Sequence, residues 1–171
     1  YEQAFASLAD NLIDAGYDVL AVSTCTGIDS YHRDDRMNAL QVKSRVAQPE
    51  HFEVVMDELN DVELGQVLAQ CELLIGTRLH SAIIAMNFGT PAIAVNYEHK
   101  SEGIMRQLGL AEMAATVASL LDGSLTAKAR DVLARKDAVK AMVSLAVAEE
   151  RKRTAEMVNV CIERALSKGL H

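Results

Sequence analysis

Apolar residues recur along this chain in two alternating rhythms. Helical spacing puts Phe5, Leu8, Leu12 and Ile13 on one face over residues 1–15, and Gly16 marks the end of that helix. A short run follows in residues 18–23, with Val19, Leu20 and Val22, and predicts a strand. The alternation then repeats: a helix over 36–46, a strand around 52–56, a helix over 61–70, a strand over 73–75, a helix over 78–88 closed by Gly89, and a strand over 92–95 entered through Pro91. Asn60 with Glu63 three residues later reads as a capping box for the third helix. A helix over 101–108 and a short strand near 114–117 come next. Helices over 126–135 and 139–166 complete the chain. In the last of these Val139, Val143, Ala146, Val158, Cys161 and Ala165 can share a face, while Glu149, Glu150, Arg151, Lys152 and Arg153 form a solvated belt.

Strands that alternate with helices predict an α/β fold with a parallel sheet flanked by helices and a long C-terminal helix. Parallel-sheet domains usually begin with a strand, whereas this sequence opens in a helix. Either its first strand and whatever precedes it lie outside these residues, or the domain has a helical N-terminus. No repeat, low-complexity tract or Gly/Ser linker suggests a second full domain within the 171 residues.

Composition narrows the class. Half of the residues are apolar, enough for a substantial core, but no run is long enough to span a bilayer and the N-terminus lacks a secretory pattern. A soluble, cytoplasmic protein is expected, the inner face of the cytoplasmic membrane being a further possible address. Cys25, Cys71 and Cys161 are odd in number and widely spaced in apolar segments, which predicts reduced, buried, inert thiols. A net charge of −7 argues against a nucleic-acid partner, since backbone binding needs clustered Lys and Arg.

Ligands of parallel sheets bind at the carboxyl ends of the strands, so the corners after each strand carry the candidate chemistry. The corner Gly76-Thr77-Arg78-Leu79-His80-Ser81 is the most informative. Its helix start offers unpaired N–H groups and a dipole that favours an anion, Arg78 adds a bidentate fork, and His80 can exchange a proton. A cation at a helix N-terminus opposes the dipole, which suggests a bound anion. The alternative is that Arg78 pairs with Asp57 or Glu58 across neighbouring loops and His80 is a core histidine. The corner after the fourth strand holds Glu98, His99 and Lys100, an acid, an imidazole and a cation, although Lys100 to Glu102 also reads as a plain helix start. Ser23, Thr24 and Thr26 can cradle phosphate oxygens or satisfy turn backbone, and Asp57 and Glu58 can be an acid/base pair or plain loop acids. No nucleotide-binding, hydrolase or metal motif is present, and a metal site has no support.

Residues 75–110, IGTRLHSAIIAMNFGTPAIAVNYEHKSEGIMRQLGL, resemble the C-terminal signature of the polysaccharide pyruvyl transferase family in their Arg-Leu-His-Ser motif, Gly-Thr-Pro turn and Tyr-x-x-Lys corner. STCTGIDSYHRDDRM (23–37) and VVMDELND (54–61) are closer still to the members of enteric bacteria that act on colanic acid. The resemblance implies that residues 1–171 are the C-terminal Rossmann-like lobe of a two-lobed, GT-B-like enzyme whose N-terminal lobe lies outside this sequence. It implies transfer of a pyruvyl group from phosphoenolpyruvate to two hydroxyls of a sugar, giving a cyclic ketal and phosphate. Its partners would be phosphoenolpyruvate as donor substrate, a lipid-linked or polymeric oligosaccharide acceptor and the missing lobe, with no cofactor. Carried over residue by residue, the phosphoenolpyruvate contacts fall on Arg78, Leu79 and His80. His80 and Arg78 are then the candidate catalytic residues, with Gly76, Thr77, Ser81, Glu98 and Lys100 as further substrate contacts. A nucleotide-sugar glycosyltransferase lobe and a non-catalytic lobe that binds an anionic sugar are the competing readings. The paired glutamates with seven residues between them that mark many glycosyltransferases are absent at Glu98 and Glu102, where the partner positions are Arg106 and Leu110.

Overall fold

The computed structural model describes residues 1–27, 34–96 and 99–168. The elements run α1 (Glu2–Ile13), β1 (Val19–Ala21), α2 (Asp35–Lys43), β2 (Phe52–Val54), α3 (Asp61–Leu68), β3 (Leu74–Gly76), α4 (Leu79–Asn87), β4 (Ala92–Asn96), α5 (His99–Gln107), β5 (Ala114–Thr116), α6 (Val117–Leu121), α7 (Ser124–Ala134) and α8 (Lys136–Lys168). Among the described residues the named strands all pair in parallel, as the alternation of elements predicts.

The expected single sheet is divided in two among the described residues. β1 pairs with β2, in register Val19 with Phe52, and β3, β4 and β5 form a second sheet with β4 in the middle. Three-residue strands bring few ladder bonds, so each half depends on the core beneath it. The larger core gathers Leu64, Leu68, Leu74, Ile93, Val95, Met105, Met113, Leu125, Val132, Val139 and Val143 around the three-stranded sheet. The smaller one holds Ala6, Ala9, Ile13, Val42, Val46, Phe52 and Val54. Helix α1 serves both: Leu8 faces the larger core, Ala6, Ala9 and Ile13 face the smaller, and Phe5 packs against each.

Local chemistry sets the helix ends. Asn60 accepts from the N–H groups of Val62 and Glu63 at 3.0 Å, and Glu63 accepts the Asn60 N–H at 2.9 Å, the capping box expected for α3. The Gly-Thr-Pro turn has three structural tasks. Gly89, at φ +90°, ends α4 in the left-handed conformation, with its N–H on Met86 O and that of Thr90 on Ala85 O. The buried Thr90 hydroxyl donates to Leu68 O at 2.7 Å, closing the end of α3, and Pro91 O accepts the Leu74 N–H at 2.8 Å, tying β4 to β3.

Several details differ from what the sequence predicts. The helix over 78–88 is α4 alone, Leu79–Asn87, with Arg78 as its extended N-cap (φ −113°, ψ 129°). The five-residue helix α6 was not anticipated; the Thr116 and Ser119 side chains cap it reciprocally. The thiols are free but not uniformly buried: Cys25 and Cys71 are half-buried and Cys161 is exposed. Burial pushes the Cys71 thiol pKa up. The face expected along α8 is also only half used. Val139 and Val143 are buried, and Met142, Ala146 and Val147 pack beside them. Residues 151–167, including Val158, Cys161 and Ala165, are exposed.

Candidate active site

The carboxyl ends of the parallel strands carry the polar corners. At the end of β3 the buried Gly76 leaves room for the Ser81 hydroxyl, which occupies the space a Cβ would need. Ser81 is in the first turn of α4, and its Oγ donates to Arg78 O at 2.7 Å while its N–H donates to the same oxygen at 3.1 Å. The corner is thereby locked from both sides. Thr77 and Leu79 are half-buried within it and His80 is exposed in the first turn. The His80 ring makes no hydrogen bond to a described residue. The Arg78 side chain does not cap α4, and with the Ser81 N–H taken by Arg78 O, the Leu79 and His80 N–H groups at the helix start meet no acceptor among the described residues.

Arg78 reaches across to the other sheet. Its Nε donates to Asp35 Oδ2 at 2.8 Å and its Nη2 to Asp35 Oδ1 at 2.9 Å, a side-on bidentate pair. This corrects the expected alternative, a pairing with Asp57 or Glu58. The anion that offsets a cation at the start of α4 is a carboxylate of the same chain, placed in the first turn of α2 where the helix dipole favours it. Asp57 is exposed and makes no hydrogen bond among the described residues, and Glu58 stands 3.9 Å from Arg36.

The corner after β1 is built from charge. Asp34 caps α2 by accepting the Arg36 N–H at 2.9 Å, and its carboxylate accepts two further bonds from Arg36 Nε at 3.0 Å and one from Nη2 at 2.7 Å. Arg36 also donates to Met56 O at 2.7 Å and Thr26 O at 3.4 Å, so one side chain, only 15% exposed, ties the loops after β1 and β2 to α2. The guanidinium beside Asp34 holds its carboxyl below the usual carboxylate pKa, against the opposing effect of burial. Ser23 takes the turn role open to it, donating to Cys25 O at 2.7 Å and accepting the Cys25 N–H at 3.0 Å. The returning chain is fixed by the Asp35 N–H on Cys25 O and the bridge between Thr26 and Asp34.

The corner after β4 is only partly described. Glu98 lies outside the described residues, and Lys100 is placed by its backbone alone, in the first turn of α5. Asp34, Asp35 and Arg36 were not singled out in the sequence. The signal was there in Asp34, an N-cap residue followed by an acid at the start of a helix. Among the described residues no three His, Cys, Asp or Glu side chains stand close enough to hold a metal ion. A groove of about 740 Å³ lies elsewhere, between α1 and the α6–α7 pair, and neither Arg78 nor His80 lines it.

Comparison with known proteins decides which family built this edge. The family described as Polysaccharide pyruvyl transferase matches residues 1–99, more than half of the chain and all of the Gly76–Ser81 corner. The chain belongs to the polysaccharide pyruvyl transferase family. The amylovoran biosynthesis protein AmsJ of Erwinia amylovora is 59% identical over 151 residues, which are 88% of this chain and 36% of that protein. The chain thus spans about a third of the length of that relative. No solved structure gives a significant match. Among the described residues no helix is long and apolar enough to cross a membrane.

Proposed function

We propose that this chain is the C-terminal lobe of a two-lobed, GT-B-like enzyme that transfers pyruvate from phosphoenolpyruvate to a sugar of an extracellular polysaccharide repeat, colanic acid-like in kind. The observation that carries the reading is the Gly76–Ser81 corner, where a locked backbone presents Arg78, the open first turn of α4 and the exposed His80 on one edge. An arginine fork and uncapped helix N–H groups suit a carboxylate and a phosphate on one small molecule. The printed role of the relative in amylovoran biosynthesis supports a polysaccharide acceptor.

The chemistry needs a clamp, a proton donor and a base. A proton is added to the methylene carbon of phosphoenolpyruvate, which becomes the methyl group, and positive charge develops at the carbon that bears the carboxylate. One sugar hydroxyl attacks that carbon and loses its proton, the bond to the phosphate oxygen breaks, and phosphate leaves. The second hydroxyl then closes the ketal and releases its proton. In this scheme Arg78, with the Gly76-Thr77 backbone, holds the anionic groups while charge shifts, and His80 moves a proton or meets the phosphate. Leu79 and Ser81 shape the corner, and Glu98 and Lys100 support it from the next one. No cofactor is needed. The acceptor is a lipid-linked or polymeric oligosaccharide met in the cytoplasm or at the inner face of its membrane.

The test uses the full-length protein with phosphoenolpyruvate and an acceptor oligosaccharide, following phosphate release and the ketal methyl signal by NMR together. Both should appear in equal amounts, and the chain of residues 1–171 alone should fold yet give neither. Glycosyl transfer from a UDP- or GDP-sugar, without pyruvyl transfer, would support the glycosyltransferase reading instead.

A further inference from the structure

We infer that Asp35 is the positioning residue for Arg78, an inference that rests on the reading of the β3–α4 corner as the phosphoenolpyruvate site. A long arginine side chain loses considerable rotamer freedom when it grips a ligand, and a fork already held in one plane loses less. Asp35 supplies that hold through two parallel bonds of 2.8 and 2.9 Å to Nε and Nη2, which fix both the direction and the plane of the guanidinium.

Asp35 is itself firmly placed. Its N–H donates to Cys25 O at 3.0 Å, and it sits between Asp34, the N-cap of α2, and Arg36, which is bonded to the loops after β1 and β2 at Thr26 O and Met56 O. The α2 dipole favours its carboxylate there. Arg78 starts from an N-cap whose carbonyl accepts two bonds from Ser81. Each end of the pair is thus anchored by its own half of the molecule, and the pair is the described ion pair that carries the register of α2 and its β1–β2 corner to the corner after β3. A surface bridge between flexible partners would have no such fixed ends. The guanidinium remains 38% exposed, so the hold does not bury it away from the crevice.

The experiment compares full-length wild type with Asp35→Asn, Asp35→Glu, Arg78→Lys and the Asp35→Asn/Arg78→Lys double variant. It measures KM and kcat for pyruvyl transfer, calorimetric affinity for phosphoenolpyruvate, and Tm. Asp35→Asn should raise KM and Kd for phosphoenolpyruvate at least about tenfold with a smaller change in kcat and a Tm close to wild type. Asp35→Glu, which restores the carboxylate, should recover most of the affinity. In the double variant the Asn substitution should add little to the loss caused by Lys, because Asp35 acts through Arg78. Should the Asn variant not fold, Asp35→Ser is measured in the same way against the same expectations. Affinity unchanged in Asp35→Asn overturns the inference, and tighter binding overturns it too, since Asp35 would then compete with the substrate for the fork. If Arg78→Lys leaves phosphoenolpyruvate affinity intact, the site reading fails; if it weakens binding while Asp35→Asn does not, only the positioning role fails.

Discussion

The two corners on this crevice edge are held in place by opposite means. After β3, Gly76 and Ser81 interlock so closely that a methyl group has no room, and the backbone is closed by a hydroxyl and an amide on one carbonyl. After β1, a carboxylate and a guanidinium, Asp34 and Arg36, gather two post-strand loops and a helix start. A packed corner fixes backbone to within the tolerance of van der Waals contact, whereas a charged corner fixes only what its hydrogen bonds reach. The difference explains the division of labour. The packed corner presents the side chains proposed to meet the substrate, and the charged one holds the arginine of the packed one from across the gap between the sheets.

That contrast can be broken at several points, and the largest expected effect is at His80. His80→Asn keeps polarity and approximate size but cannot transfer a proton at neutral pH. It should lower the single-turnover rate by about a hundredfold or more, with phosphoenolpyruvate affinity and Tm nearly unchanged. A retained chemical rate and pH profile would move the proton donor to Glu98, His99, Asp57, Glu58 or the other lobe. Arg78→Lys should cost on the order of 2 kcal/mol in kcat/KM, with folding little altered, because a point charge replaces a planar fork. Unchanged turnover with a lowered Tm would reduce Arg78 to a structural ion pair.

The packed corner itself is tested by Gly76→Ala. The new Cβ must displace the Ser81 hydroxyl, which should cost about 1–3 kcal/mol in chemical denaturation. Adding Ser81→Gly should recover part of the loss by emptying the space; full tolerance of Gly76→Ala alone would mean that the interlock is loose. The charged corner answers to pH. Arg36 lowers the folded-state pKa of Asp34, so this carboxylate stabilises the fold fully above its ordinary pKa of about 3.9, and that contribution is lost as pH falls through the lowered value. Asp34→Asn keeps a cap acceptor but not the charge. It should flatten the fall of stability below about pH 4 relative to wild type, and an identical acid limb in both proteins would remove Asp34 from the network's energetics.

Much of the fold was legible because its signals are local. The capping box of Asn60 and Glu63, the Gly89 stop and the alternation of strands with helices each depend on residues within a few positions of one another. The corners at the strand ends could be placed for the same reason. What the sequence hid is what only the tertiary arrangement decides. The described acid paired with Arg78 is 43 residues away in sequence, at the start of α2, whereas the loop acids Asp57 and Glu58 were the pairing partners the sequence suggested. The division into two sheets depends on where short strands stop pairing, which periodicity does not encode. On α8 the apolar stripe through Val143 and Val147 continues into Val158 and Ile162, but the rhythm cannot say where the body beneath it ends, and so Cys161 was expected to be buried.

The proposal that the Gly76–Ser81 corner holds phosphoenolpyruvate is tested most directly by calorimetric titration of the full-length protein, wild type and Arg78→Lys, with phosphoenolpyruvate and separately with UDP- and GDP-sugars. Saturable phosphoenolpyruvate binding that Arg78→Lys weakens about tenfold or more, with no comparable binding of the nucleotide sugars, is the predicted result. Tight nucleotide-sugar binding with none of phosphoenolpyruvate, or phosphoenolpyruvate binding indifferent to residue 78, would contradict it.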